Sequence, residues 1–261
     1  RRVLFRSASD LVLDTDCSDD GTEGGDITFN ANIGATNSIG TLTVNEADAG
    51  LTFGSTGSAD SGFVTLINTD GAIDFGSQDV ITGTGIIFNG GAAELTIQTS
   101  GDSIRFNGPT TLAGAVVLDT DSADNNSEGG TITFTSDSPI VSADNEFNNF
   151  TLDAGTAAIT FNATIGGAAC GPENLGDFSI TEADAGLVFS SSLTAINTHG
   201  AINFGSGSNA IGGMGIVFEA EHVRLHRKVA IKVLPVHLAQ VTLFACSVAQ
   251  LLLVELSSLQ L

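Results

Sequence analysis

Two acidic stretches contain the side chains whose type and spacing could most readily do chemistry. The sequence LDTDCSDDGTEGGDITF covers residues 13–29, and a near copy, LDTDSADNNSEGGTITF, covers residues 118–134. Closely spaced carboxylates on a turn are oxygen ligands of the kind that Ca²⁺ takes in proteins. The candidate calcium ligands are Asp14, Asp16, Asp19, Asp119, Asp121 and Asp124.

Two known patterns of carboxylate chemistry fit these stretches poorly. An EF-hand loop that starts at Asp14 needs Gly at its sixth and Glu at its twelfth position, where Asp19 and Gly25 stand. A glycosidase needs two carboxylates across one cleft, whereas these acids recur in both copies. Because Asp, Asn and Gly favour turns, we interpret each stretch as a solvated corner between strands, with weak calcium binding as the alternative. We expect no catalytic residue in the repeats.

The composition excludes several classes of partner. The chain has 261 residues with 32 Gly, 16 Phe and a formal net charge of −22, and Arg105 is the only Lys or Arg between residues 8 and 217. Nucleic acids and anionic lipids need basic side chains, so we expect no nucleic-acid partner, and no membrane partner for the repeat region. The three cysteines show no disulfide framework or metal spacing.

Short alternating segments predict an all-β fold. Segments such as LTV (42–44), IDF (73–75) and IRF (104–106) place apolar residues on one face, and Gly-, Asn- and Asp-rich turns separate them. An antiparallel sandwich or barrel and a parallel β-helix, or β-solenoid, both fit this pattern. We favour the solenoid because the turns are mostly not hairpin loops, Phe recurs at strand ends, and local self-similarity allows residue ladders.

The repeats carry a first resemblance. ITFNANIG (27–34) matches ITFNATIG (159–166), NEADAGLTF (45–53) matches TEADAGLVF (181–189), and GAIDFGS (71–77) matches GAINFGS (200–206). Together with FTLDAGTAAITFNA (150–163), these strings resemble the β-strand repeats of large bacterial surface proteins, the filamentous-haemagglutinin and autotransporter-like adhesins. The resemblance implies a secreted or cell-surface protein with a parallel β-helix stem, and an extracellular ligand or surface of unknown identity as partner.

The segment after residue 209 resembles a different family. AIGGMGIVFEAEHVRLHRKVAIKVLPVHLAQ (210–240) is similar to the first strands of a bacterial-type serine/threonine protein kinase, although Ala210 stands where the first loop glycine is expected. The resemblance implies an ATP site, with ATP as cofactor if the kinase domain is complete in the native gene. The residues implied at that site are Gly212, Gly213, Gly215, Val217, Ala230 and Lys232.

We expect no kinase activity from this chain, because no HRD segment supplies a catalytic base. The only DFG, Asp74-Phe75-Gly76, belongs to a strand of the repeat. The predicted organisation is a sequencing or assembly scar at 1–7, a solenoid at 8–209, the kinase-like fragment at 210–240 and an unassigned apolar tail at 241–261. The tail is long enough to span a membrane, but its polar residues favour a marginal helix or a frame-shifted read.

The expected function is a structural stalk segment of a secreted or cell-surface adhesin-like protein, without catalysis and without a cofactor other than weakly bound calcium. A truncated or chimeric kinase fragment and a calcium-binding repeat module are the alternatives.

Overall fold

The protein folds as a stack of coils whose short strands alternate between three sheets with parallel pairing, which is the predicted β-solenoid. The computed structural model describes residues 9–15, 24–54, 62–122, 128–190, 192–205 and 211, and the backbone of 216–222, 227–233 and 244–245. These residues form strands and turns but no helix. We call the three sheets A, B and C, and each coil of the chain passes through them in that order. The coils are numbered 1 to 7 along the chain, and each begins with a strand of sheet A.

Sheet A is the longest of the three. All of its pairings are parallel except the last, between β20 and β21. Within sheet A, apart from the bulge at Asp14, equivalent residues of neighbouring coils are 27 to 31 positions apart, as Ile132↔Ile159 and Ile73↔Ile104 show. Its strands, in spatial order, are β1 (Leu11–Asp14), β3 (Leu42–Glu46), β6 (Ile73–Phe75), β9 (Ile104–Phe106), β12 (Ile132–Phe134), β15 (Ala158–Phe161), β17 (Gly186–Phe189), β20 (Ile216–His222) and β21 (Arg227–Val233).

Sheets B and C complete each coil. Isolated parallel bridges at Ile165 and Ile196 continue sheet B into coils 6 and 7. Sheet B contains β2 (Asp26–Phe29), β4 (Gly50–Phe53), β7 (Ile86–Phe88), β10 (Thr110–Leu112) and β13 (Ile140–Ser142). Sheet C contains β5 (Leu66–Asn68), β8 (Leu95–Gln98), β11 (Val116–Asp119), β14 (Phe150–Asp153), β16 (Phe178–Glu182) and β19 (Ile202–Phe204). A small fourth sheet pairs β18 (Asn197–Thr198) with β22 (Phe244–Ala245).

The alternating sequence pattern creates the core. In a strand such as Ile132–Phe134 the two apolar ends are buried and the central Thr faces outward, because successive side chains of a strand point to opposite faces. Phe at the last position of many strands then forms the expected interior ladders. In sheet A, Phe134 stacks on Phe106 at 4.6 Å and on Phe161 at 5.1 Å between ring centroids.

The long sequence copies do not lie above one another on the same face. LVLD of the first copy lies in sheet A, whereas VVLD of the second lies in sheet C. Likewise ITF of residues 27–29 lies in sheet B and ITF of residues 159–161 in sheet A. The second copy is therefore displaced by one face of the coil. Short strand-corner units fit any of the three faces, so the sequence period need not equal a whole number of coils.

Candidate functional site

The described ends of both acidic stretches lie at corners of the solenoid, where the chain leaves one sheet and enters the next. In the first, Thr15 Oγ1 donates a hydrogen bond to Gly25 O (3.3 Å), and in the second Thr120 Oγ1 donates to Gly130 O (2.8 Å). The same closure occurs at a tight corner, where Thr69 Oγ1 donates to Gly71 O at 2.6 Å. The same hydrogen bond from a Thr hydroxyl to a Gly carbonyl therefore forms whether the two residues are two or ten positions apart. In both acidic stretches, most of the acidic residues lie in the sequence between that Thr and that Gly.

Two of the candidate aspartates have hydrogen bonds within the solenoid, one to the local backbone and one to the next coil. Asp119 Oδ1 accepts a hydrogen bond from the N–H of Asp121 (2.8 Å), which is a local Asx-type turn, and Asp121 is buried. Asp14 Oδ2 accepts from Asn45 Nδ2 of the next coil (3.1 Å). The remaining candidates, Asp16, Asp19 and Asp124, lie outside the described residues. Within the ranges given above, no three His, Cys, Asp or Glu side chains are grouped as a metal site would require.

The two stretches also lie apart. Asp14 ends β1 of sheet A in coil 1, and Asp119 ends β11 of sheet C in coil 4. Each stretch would therefore have to bind calcium by itself, and the calcium site stays a prediction.

The kinase-like segment is described only through its backbone. β20 pairs in parallel with β17 and in antiparallel with β21, and in the second pairing Val217 is opposite Lys232 and Glu219 is opposite Ala230. The predicted loop residues Gly212, Gly213 and Gly215 lie outside the described residues. The strand pairing across residue 209 shows that backbone hydrogen bonding continues past the predicted domain boundary.

The structure explains the DFG sequence as part of the repeat. Asp74 and Phe75 belong to β6, where Phe75 is buried and Asp74 faces outward. Arg105 Nη1 binds Asp74 Oδ1 at 2.8 Å and Gly76 O at 3.0 Å. The one Arg of the repeat region therefore ties two coils together on the outer face of sheet A.

A concavity at the corner between sheets B and C was not identified from the sequence. It has a volume of about 570 Å³, and we call it the B–C corner concavity. Its described lining residues are Asn145, Phe147, Cys170, Gly171, Pro172, Asn174 and His199. Three of them, Asn145, Phe147 and Cys170, have φ between 51° and 62°, and they are the only non-glycine residues with positive φ in the described part of the chain.

Side chains from alternate coils meet at this concavity. The rings of Phe147 in coil 5 and His199 in coil 7 stack with centroids 4.2 Å apart. Between them, the corner of coil 6 contributes Cys170, which is disulfide-bonded, and Asn174, which is 1% exposed. This disulfide corrects the expectation from the sequence that the cysteines form no disulfide framework. The spacing of the three cysteines did not indicate that Cys170 would be paired.

The sequence contains one signal of this site. His199 stands in NTHG, where the first copy has NTDG with Asp70, and the exchange of one turn residue for another does not by itself indicate a binding site. Only the stacking of coils 5 to 7 brings that His to Phe147, 52 positions earlier in the chain (199 − 147). Such a long-range meeting leaves no local pattern in the sequence.

Comparisons with known proteins find no relative for the chain. No protein-family model matches it, and neither does a curated protein or a solved structure. In the part of the chain that the structure describes, no helix has the length and hydropathy needed to cross a membrane. The apolar tail at 241–261 falls outside that part except for the backbone of β22. Function is therefore inferred from geometry and chemistry.

Proposed function

We propose that the repeat region is a stalk segment of a secreted or cell-surface adhesin-like protein, without catalysis of its own. The observation that carries the proposal is the unbroken parallel stack of sheet A from β1 to β20 over one continuous apolar core. Each coil contacts mainly its neighbours, so a stem can be lengthened by adding coils without redesigning the core.

The outer surface supports this proposal through its charge. The net charge of −22 keeps such a rod soluble and keeps copies of it apart, because like charges repel. Of the described acidic side chains, Asp74 faces outward from sheet A and Asp10 and Asp70 are exposed, whereas Glu46, Asp121 and Glu182 are buried. A stem that projects from a cell needs an acidic outer surface along its whole length.

The proposal predicts where the protein is found. An antibody raised against residues 9–205 should label intact cells of the source organism without permeabilisation, and external protease should remove the label. An antibody to a cytoplasmic protein of the same cells is the control for lysis. Labelling that appears only after permeabilisation would overturn the assignment to the cell surface, while leaving the fold unaffected.

A second candidate is a kinase-type nucleotide site at residues 210–240. The observation that favours it is the antiparallel pairing of β20 and β21, which places Val217 opposite Lys232. In the kinase resemblance, the strand after the Gly-rich loop and the strand with the phosphate-binding Lys belong to one ATP site. Mg-ATP should then raise the melting temperature of the chain, and Lys232→Met should abolish that shift. Equal melting curves with and without Mg-ATP would remove this candidate.

Sequencing of native transcripts across residues 206–215 separates a genuine fusion from an assembly chimera. Reads that run in frame from the repeats into the kinase-like segment would support a fusion. Reads that continue with further LDTD or ADAGL repeats would support the stalk alone.

A further inference from the structure

We propose that the B–C corner concavity is a binding site for a neutral, hydroxyl-bearing ligand, and that the chemical class of this ligand is a sugar. The inference does not depend on the stalk proposal, because it uses only the geometry of coils 5 to 7. Three observations carry it: the clustered backbone strain, a buried amide without a partner, and the uncharged lining with an aromatic pair.

Among the described residues, left-handed backbone outside glycine is confined to the wall of this concavity. Phe147 and Cys170 are strained there because the Cβ atom crowds the following carbonyl oxygen, whereas Asn145 is of a residue type that tolerates this region. Hydrogen bonds between coils maintain the conformation, since the N–H of Asn145 donates to Pro172 O at 2.8 Å. Strain of this kind is concentrated at functional sites, where the surrounding structure fixes a conformation that the chain alone disfavours.

The buried amide supplies the polar specificity. Asn174 is 1% exposed, and its Oδ1 has no hydrogen-bond partner, which is unfavourable for a buried polar group. That oxygen is closed to solvent in the unliganded chain, so a ligand O–H that donates to it requires the Asn174 side chain to turn toward the concavity that it lines. A hydroxyl is especially suitable because it can both donate and accept, and it therefore suits either orientation of the Asn amide.

The remaining lining residues select against charge. No Asp, Glu, Lys or Arg is among the described residues that line the concavity, so an ionised ligand would find no counter-charge there. The net charge of −22 further disfavours an anion. Phe147 and Pro172 offer apolar surface beside the polar amide, and a sugar presents the same combination of apolar C–H faces and hydroxyls.

The test uses the full 261-residue chain, with its disulfide intact, and calorimetric titration with neutral sugars. The probes are glucose, galactose, mannose, N-acetylglucosamine and cellotriose, with glucuronate as the charged counterpart. The variants are Asn174→Leu, which removes the amide at similar volume, and His199→Asp, which restores the residue of the first copy. Thr133→Ala, on the outer face of sheet A, is the matched control.

We expect at least one neutral sugar to bind, and its affinity to fall about tenfold in Asn174→Leu, the equivalent of one hydrogen bond to a buried group. His199→Asp should weaken binding as well, and Thr133→Ala should not. Asn174→Leu should also melt at the same or a higher temperature than the unmodified chain, because it removes an unsatisfied buried polar group. If Asn174 had only a structural role, its replacement would lower the melting temperature, so equal or greater stability together with weaker binding indicates a role in binding.

Four results would overturn the proposal. The first is the absence of heat with every neutral sugar at millimolar concentration. The second is binding that survives Asn174→Leu and His199→Asp unchanged, and the third is binding that is tighter for glucuronate than for the neutral sugars. The fourth is a loss of stability in Asn174→Leu, which would show that the amide has a structural role in the fold.

Discussion

Replacement of Phe134 by Ala tests how the interior ladder stabilises the solenoid. Phe134 is fully buried in coil 5, and its ring lies nearly parallel to those of Phe106 and Phe161, at interplanar angles of 9° and 2°. Truncation of a buried Phe to Ala costs about 3–5 kcal/mol, which includes the cavity that remains. Because Phe134→Ala removes stacking contacts on both sides, each of about 0.5–1.5 kcal/mol, we expect the upper half of that range.

The matched control is Phe63→Ala. The Phe63 side chain is 36% exposed, so its truncation removes less buried apolar surface and leaves no closed cavity. We expect a loss of about 1 kcal/mol for this variant. Phe134→Leu, which retains most of the volume, should fall between the two.

Urea denaturation followed by far-UV circular dichroism measures these differences, because the chain has no Trp or Tyr for fluorescence. A gap in the middle of the stack also weakens the coupling between coils 4 and 6, so the transition of Phe134→Ala should broaden. Equal free energies of unfolding for Phe134→Ala and Phe63→Ala would refute the reasoning, since the ladder would then contribute no more than a partly exposed ring.

Three further predictions concern corners and charge. Gly166 has a φ of 78°, and a Cβ there would collide with Asn197 O, so Gly166→Ala should cost about 1–2 kcal/mol of backbone strain plus about 1–3 kcal/mol of overpacking. Gly101 has a φ of 94°, and a Cβ there would make only ordinary van der Waals contacts, so Gly101→Ala should show the strain without overpacking in the same urea assay. A hydrogen bond from the backbone N–H of Thr41 lowers the pKa of the Asp10 carboxyl below its ordinary value of 3.8. The stability that this carboxylate contributes is therefore present above the unfolded pKa and is lost as the pH falls through the folded pKa. An NMR titration of the Asp10 carboxyl should show a midpoint below 3.8. Calcium at millimolar concentration should produce heat and a thermal shift if the acidic stretches bind it, and the absence of both would eliminate the calcium alternative.

The fold was predictable where the pattern is local. Alternation within segments such as Ile104–Phe106 fixes which side chains are buried, and the recurrence of Phe at strand ends indicates rings in register between coils. Corner-sized turns favoured parallel stacking over hairpins. The described ends of the two acidic stretches are joined in the same way, because Thr15 donates to Gly25 O and Thr120 donates to Gly130 O, and the interpretation of the acids between them as solvated corners stays a prediction.

The placement of the repeats could not be predicted from the same information. A match such as GAIDFGS with GAINFGS shows that two segments have the same local structure, but it does not say on which face each lies. Those two segments lie in sheets A and C. The burial of Glu46 and Glu182 in the matching EADAG corners is equally unexpected, since composition places Glu in solvent.

The candidate site depends on contacts between distant parts of the chain. Phe147, Asn174 and His199 come from three consecutive coils, and none of them is part of a recognisable motif. Positive φ at Phe147 is also invisible in sequence, because Phe has no preference for that region and adopts it only under the constraint of neighbouring coils.

The most direct test of parallel stacking is the distance between spin labels on the outer face of sheet A, measured by pulsed electron resonance after replacement of the three cysteines. In the register of the sheet, Thr43 and Thr160 are four strands apart, and Val12 and Val188 are six strands apart. At about 4.8 Å per strand, the backbone separations should be about 19 Å and about 29 Å. Separations that grow by about 10 Å from the first pair to the second would support the solenoid, and separations that do not increase with the number of strands would contradict it.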